Sequence, residues 1–216
     1  MAGGGVDPAL PAWREVVREA AREAAVAEER ARRGGGRVAF CYRWEHVQAV
    51  VRLSVRLAKL TGADGEVVEA AAWLHDVAKG PGVVDHGQEG AVAARRILAG
   101  TDFPPHKIEA VAEAVARHVG LFTEEAVEPL EAAVVWDADK LSKLGATAVA
   151  HFIGYKMIKG QATTRGLVEW LPDTEWQEGV VRSLNTAPAR AAGRARLETY
   201  RAFCRRLVQE YDGKDL

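Results

Sequence analysis

Apolar residues in this chain recur at three- and four-residue steps almost from end to end, while strand-like Val/Ile/Thr alternation bounded by turns is nearly absent. That spacing lines one face of a helix and offers a sheet no face to bury. Alanine, leucine, glutamate and arginine, all strong helix formers, dominate. The expectation is an all-α fold. With 216 residues the chain is long enough for one fairly large domain with a well-buried core, or one domain with appendages.

Punctuation along the chain divides it further. The first nine residues read as a flexible lead-in, followed by a charged amphipathic helix over residues 10–33 that stops at the linker Gly34-Gly35-Gly36. This N-terminal unit, 1–36, precedes a helical core over 37–216. The core's first helix spans 43–60 and ends at Gly62. The next starts from Asp64 as N-cap and runs to Lys79, where Gly80-Pro81 stops it. Helices are expected over 86–99, 105–119, 123–136 and 138–158, the last broken or bent near Gly145 or Gly154. Residues 160–185 read as loop-rich with room for a short helix, and a long final helix covers 187–211.

Net charge is -1 and the pI is near 6.6, so no strong nucleic-acid signal and no field for an anionic membrane is present. A small nucleotide needs only a local basic pocket. The two cysteines, Cys41 and Cys204, form no C-x-x-C pattern, which points to a reducing compartment. No stretch approaches the ~18 apolar residues of a membrane span, and a cytoplasmic location is expected. A homo-oligomer is left open, since the 10–33 helix can cover a neighbour.

The unusual feature is where the polar residues fall. His46 heads the stripe Val50, Leu53, Leu57, Leu60. His75 is in line with Val68, Ala71 and Ala72, with Asp76 beside it. His118 continues Ile108, Val111, Val115, and Asp139 keeps step with Ala132, Val135, Ser142 and Ala146. Each is aimed inward from a different helix. Taken singly, each has an ordinary reading as a core histidine, a cap or an ion-pair partner. Taken together, they suggest a shared cation, because a buried carboxylate is costly unless paired or metal-bound. Imidazole with carboxylate suits Mn, Fe, Zn, Ni or Co better than Mg or Ca alone. Helical phase also turns Asp137 inward, with Leu141 and Leu144, as a rival to Asp139.

His46, then His75-Asp76, then Asp139 resembles the H…HD…D signature of the HD superfamily of metal-dependent phosphohydrolases. Trp73-Leu74-His75-Asp76-Val77-Ala78-Lys79 is similar to the family's LHD-[IV]-x-K segment. Trp136 through Ala146 is similar to its DADRLDALGA-type segment. Asp85 to Ala91, His151-Phe152 through Lys156, and Leu184-Asn185-Thr186-Ala187 with the final helix resemble the small YedJ-like HD proteins. The likeness spans roughly residues 38–211 and leaves out the helix before Gly34.

The resemblance implies a single HD-domain helical bundle-like core with an extra N-terminal helix. It implies a divalent ion (Mn, Fe, Ni, Co, Zn or Mg) held by His46, His75, Asp76 and Asp139. It favours Asp139 over Asp137 as ligand, leaving Asp137 to orient a ligand histidine or hold a water. His86 and His118 are placed to bind a second ion or a substrate phosphate. Asp76, Lys79 and His118 are the residues assigned to catalysis, with Lys79 open to a second reading as a counter-charge at a helix C-terminus. Lys140 is, with Lys79, a candidate for offsetting charge on the transferring group but reads more readily as solvent-exposed; His106 reads as a surface residue and His151 as a candidate pocket residue. The implied activity is hydrolysis of a phosphomonoester or phosphoanhydride bond in a small, nucleotide-type substrate by metal-activated water. The alternative is a non-catalytic, metal-stabilised nucleotide-binding or regulatory HD module.

Overall fold

A computed structural model describes residues 10–34, 40–158 and 163–216, apart from the side chains of Arg33 and Ile158. The lead-in, Gly35 and Gly36 lie outside the described residues. Those residues hold ten α-helices, one short 3-10 turn at Pro105–Lys107 and no strand. The helices are α1 (Trp13–Arg33), α2 (Tyr42–Thr61), α3 (Gly65–Leu74), α4 (His86–Ala99) and α5 (Ile108–Arg117). They continue with α6 (Leu130–Leu141), α7 (Gly145–Ile158), α8 (Thr164–Trp170), α9 (Glu175–Arg182) and α10 (Ala187–Tyr211).

Local chemistry explains most boundaries. The Asp64 carboxylate caps α3 by accepting from the Glu66 and Val67 amides. Gly62 ends α2 in the left-handed region at φ 80°, which a β-carbon disfavours. Pro129 sets the start of α6, so the helix expected over 123–136 begins later, at Leu130. A proline pushes the residue before it out of helical geometry, and the apolar pattern upstream cannot override that. α6 and α7 are separate helices because Gly145 turns at φ 78°. The stretch read as loop-rich holds two short helices, α8 and α9, with Thr163 capping α8.

The helix read as reaching Lys79 stops at Leu74. Beyond it the chain tightens, with the Val77 amide donating to Leu74 and the Lys79 amide to Asp76. His75 and Asp76 therefore sit in a turn just past a helix end, aimed across the bundle rather than along one face.

One continuous core joins α1 to α6 with α9 and α10, built on Val50, Leu57, Val68, Leu74, Val111, Val134 and Leu141 among others. Leu60, at the far end of the α2 stripe, is 53% exposed and falls outside it. A smaller cluster of Val149, Leu171, Tyr200 and Cys204 fastens α7 and α8 to α10. α4 and α5 cross closely because Gly87 has no side chain. A β-carbon there would lie 2.6 Å from Val119 Cγ2 and 2.7 Å from the Ala116 carbonyl oxygen. That approach brings the start of α4, with His86, against the end of α5, with His118.

Candidate metal centre

Three histidines present the same atom to one place. His75 Nδ1–H donates to the Ala72 carbonyl at 2.8 Å, and His118 Nδ1–H to the Val115 carbonyl at 2.6 Å. Ser142 Oγ donates to the Asp139 carbonyl at 2.6 Å, leaving it to accept from His46 Nδ1–H at 3.1 Å. With each proton assigned to Nδ1 in this way, every Nε2 keeps a lone pair toward the interior. His46 Nε2 and His75 Nε2 then face each other at 3.3 Å. Two lone pairs at that distance repel unless a cation lies beside them.

Asp76 joins two groups. Its Oδ2 lies 3.4 Å from His75 Nε2 and 3.7 Å from His46 Nε2. Its Oδ1 lies 3.5 Å from His118 Nε2, 3.7 Å from His86 Nε2 and 3.3 Å from Lys79 Nζ. His46, His75 and Asp76 form one set whose ligand atoms all lie within 4.8 Å of each other; Asp76, His86 and His118 form a second. Among the described residues, Asp76 Oδ1 and His118 Nε2 are buried and make no hydrogen bond, Asp76 Oδ1 keeping only the Lys79 ammonium as an ion-pair partner. Buried polar atoms left without partners are costly, and a cation between them removes the cost. The donor set therefore fits a divalent ion of the kind bound by mixed imidazole and carboxylate.

Asp139 approaches from the other side, 3.1 Å from His46 Nε2. Lys140 donates to it at 2.6 Å and Lys143 pairs with its second oxygen. Asp137 is turned elsewhere. Its Oδ1 accepts from the Asn185 amide and its Oδ2 from the Thr186 amide, both at 2.7 Å, at the start of α10. Its bonds brace that helix start and go to Asn185 and Thr186.

Electrostatics favour neutral imidazole at His46, His86 and His118 and ionised carboxylate at Asp76 and Asp139. Burial pushes the His46 imidazole down to about 3 and also lowers His118, so both rings stay neutral. Burial takes His86 down to about 4, helped by the charge of Lys79. Burial works to raise the Asp76 carboxyl, but nearby positive charge, the Arg43 guanidinium included, outweighs it and holds it well below the usual range. Lys140 and Lys143 do the same for Asp139. The Lys143 ammonium is itself brought down by burial to about 8.

Several residues stand where sequence reading did not put them. Lys140, expected in solvent, is fully buried. It donates to the His118 carbonyl at 2.9 Å and lies 3.9 Å over the Trp136 ring. The reason is α6 itself, buried on every side from Ala132 to Leu141, so a charge there has no outward face. Arg43 and Lys143 were missed, although Arg43 sits one turn before His46 and Lys143 one turn after Asp139. Tyr42 stacks on His46 with centroids 6.1 Å apart and meets His151 edge-on at 6.0 Å. Trp44 and Trp73 stack on each other at 5.8 Å, and His106 is exposed.

Comparison with known proteins is consistent with this geometry. Residues 43–144 match the HD domain family, a span holding both three-residue sets together with Asp139 and its two lysines. No curated protein sequence matches the chain. A predicted HD superfamily hydrolase from an uncultured Thermotogales bacterium superposes with a TM-score of 0.65 at 22% identity, over 93% of this chain and 94% of that one. YpgQ of Bacillus subtilis superposes with a TM-score of 0.65 at 18% identity, over 92% and 95% of the two chains. The same protein crystallised in complex with ADP gives 0.62. An HD-superfamily hydrolase from Bacillus thuringiensis gives 0.62 at 19% identity, over 93% and 98%. At these identities the structures speak for the fold. With the match over residues 43–144 beside them, the chain has the HD-domain helical fold.

Proposed function

We propose that the protein is a metal-dependent phosphohydrolase, cleaving a phosphomonoester or phosphoanhydride bond in a nucleotide-type substrate. The observation that carries this reading is the shared carboxylate: Asp76 completes two adjacent sets of ligand atoms, each with two histidines. His46, His75, Asp76 and Asp139 would hold one divalent ion, and His86 and His118 with Asp76 offer a place for a second ion or a phosphate. A bound divalent ion makes a coordinated water nucleophilic at neutral pH and polarises a phosphoryl oxygen.

The remaining steps belong to the chain. Lys79, its side chain 37% exposed, lies 3.3 Å from Asp76 Oδ1 at the edge of the site. From there its ammonium can move to a phosphoryl oxygen and offset the charge that develops on transfer. The His118 and His75 rings are locked by carbonyls in their own turns, so no reorganisation is needed when substrate arrives. The ADP seen with Bacillus subtilis YpgQ supports a nucleotide as the substrate class.

A panel of nucleotides and model phosphate esters, assayed with Mn, Co, Ni or Mg, tests the proposal. Release of phosphate or diphosphate is expected with at least one nucleotide and one ion, and it is lost on chelation and regained on adding the ion back. Tight nucleotide binding with no turnover under any condition would favour the regulatory reading instead.

A further inference from the structure

Helix α1 lies outside the HD match, yet it sends a buried charge to the metal centre. Trp13, Val17, Ala21 and Ala25 make its buried stripe at four-residue steps, and the next inward position is Glu28, only 6% exposed. An apolar residue would continue the stripe; a carboxylate there is costly unless paired. Its inward partner is Arg43, whose Nε lies 2.7 Å and Nη2 3.3 Å from the two Glu28 oxygens. That is a fork-on-fork contact along one edge of the guanidinium. The other edge, through Nη1, meets Asp76 Oδ2, the oxygen facing His46 and His75. Arg43 is therefore a cation already sitting where a metal ion would draw on the same oxygen.

We propose that Glu28 is a positioning residue of the metal centre: by holding Arg43 along one edge, it limits how strongly that arginine competes with a metal ion for Asp76. The proposal rests on the metal centre described above. Two carboxylates divide one guanidinium. When the Glu28 charge is removed, the whole attraction of Arg43 falls on Asp76, and an incoming cation must displace a stronger rival. Arg32, which pairs with Glu28 from one turn further along α1, has its side chain 37% exposed and does not touch the centre. It serves as the control.

The test is Mn2+ binding by calorimetry on the full chain, a readout that needs no turnover. Glu28→Gln is expected to weaken Mn2+ binding by roughly 10- to 100-fold, the range usual for groups that orient a metal ligand. Arg32→Gln leaves it within about twofold, as expected for an exposed ion pair. In the presence of Arg43→Gln, adding Glu28→Gln has no further effect, because the residue through which Glu28 acts is gone. A purely structural role would instead lower Tm and Mn2+ affinity by the same amount whether or not Arg43 is present, and that result overturns the proposal. Unchanged affinity in Glu28→Gln overturns it as well, while leaving the metal centre intact. No Mn2+ binding by the unaltered chain overturns both. Where Glu28→Gln fails to fold, Glu28→Asp carries the same comparison: it weakens binding with Arg43 present and has no effect without it.

Discussion

Asp76→Asn lowers turnover of the metal-loaded protein by more than about 100-fold, since even groups that only orient a ligand cost 10- to 100-fold. Asp76 has the largest expected effect of any single residue because both three-residue ligand sets use it, one oxygen in each. The amide keeps the shape and removes the charge. It leaves His75, His86 and His118 with no anion between them, and His46 with Asp139 alone. Steady-state kinetics across a range of Mn2+ concentrations check this, with bound metal measured in parallel. The loss should persist at saturating Mn2+, where kcat and not merely apparent affinity is affected. Recovery of full turnover at high Mn2+ would assign Asp76 to affinity alone.

Lys140→Met destabilises the metal-free chain by about 3 kcal/mol, the lower end for breaking a buried ion pair, since Lys143 still faces Asp139. For a chain of this size that is a fall in Tm of roughly 6–12 °C. Methionine approximates the volume of lysine, so a cavity does not explain the loss. What disappears is the donor to the His118 carbonyl, one counter-charge of Asp139 and the cation over Trp136. Circular dichroism melts of the metal-free protein measure it. A shift of under 2 °C would mean that the Lys140 charge is compensated from elsewhere.

The helices were legible because their periodicity is strong, and α10 begins and ends where its Thr186 cap and apolar pattern place it. His75 and Asp76 were legible from local context. That they lie in a turn beyond α3 was not, because the tightening at Leu74 is set by what the turn packs against. Asp137 and Asp139 could not be separated by phase. On a helix buried all round, every position faces inward, and only the partners differ: the start of α10 for one, His46 and two lysines for the other. Lys140 was misread for the same reason. Arg43 and Glu28 meet across a break between two helices, and no local pattern announces such a pair.

A Mn2+-soaked crystal, with anomalous difference density collected at the manganese edge, locates the metal centre independently of turnover. A peak is expected bound by His46 Nε2, His75 Nε2, Asp76 and Asp139, with any second peak among Asp76, His86 and His118. A map with no peak among these residues, at Mn2+ concentrations where calorimetry shows binding, would contradict it.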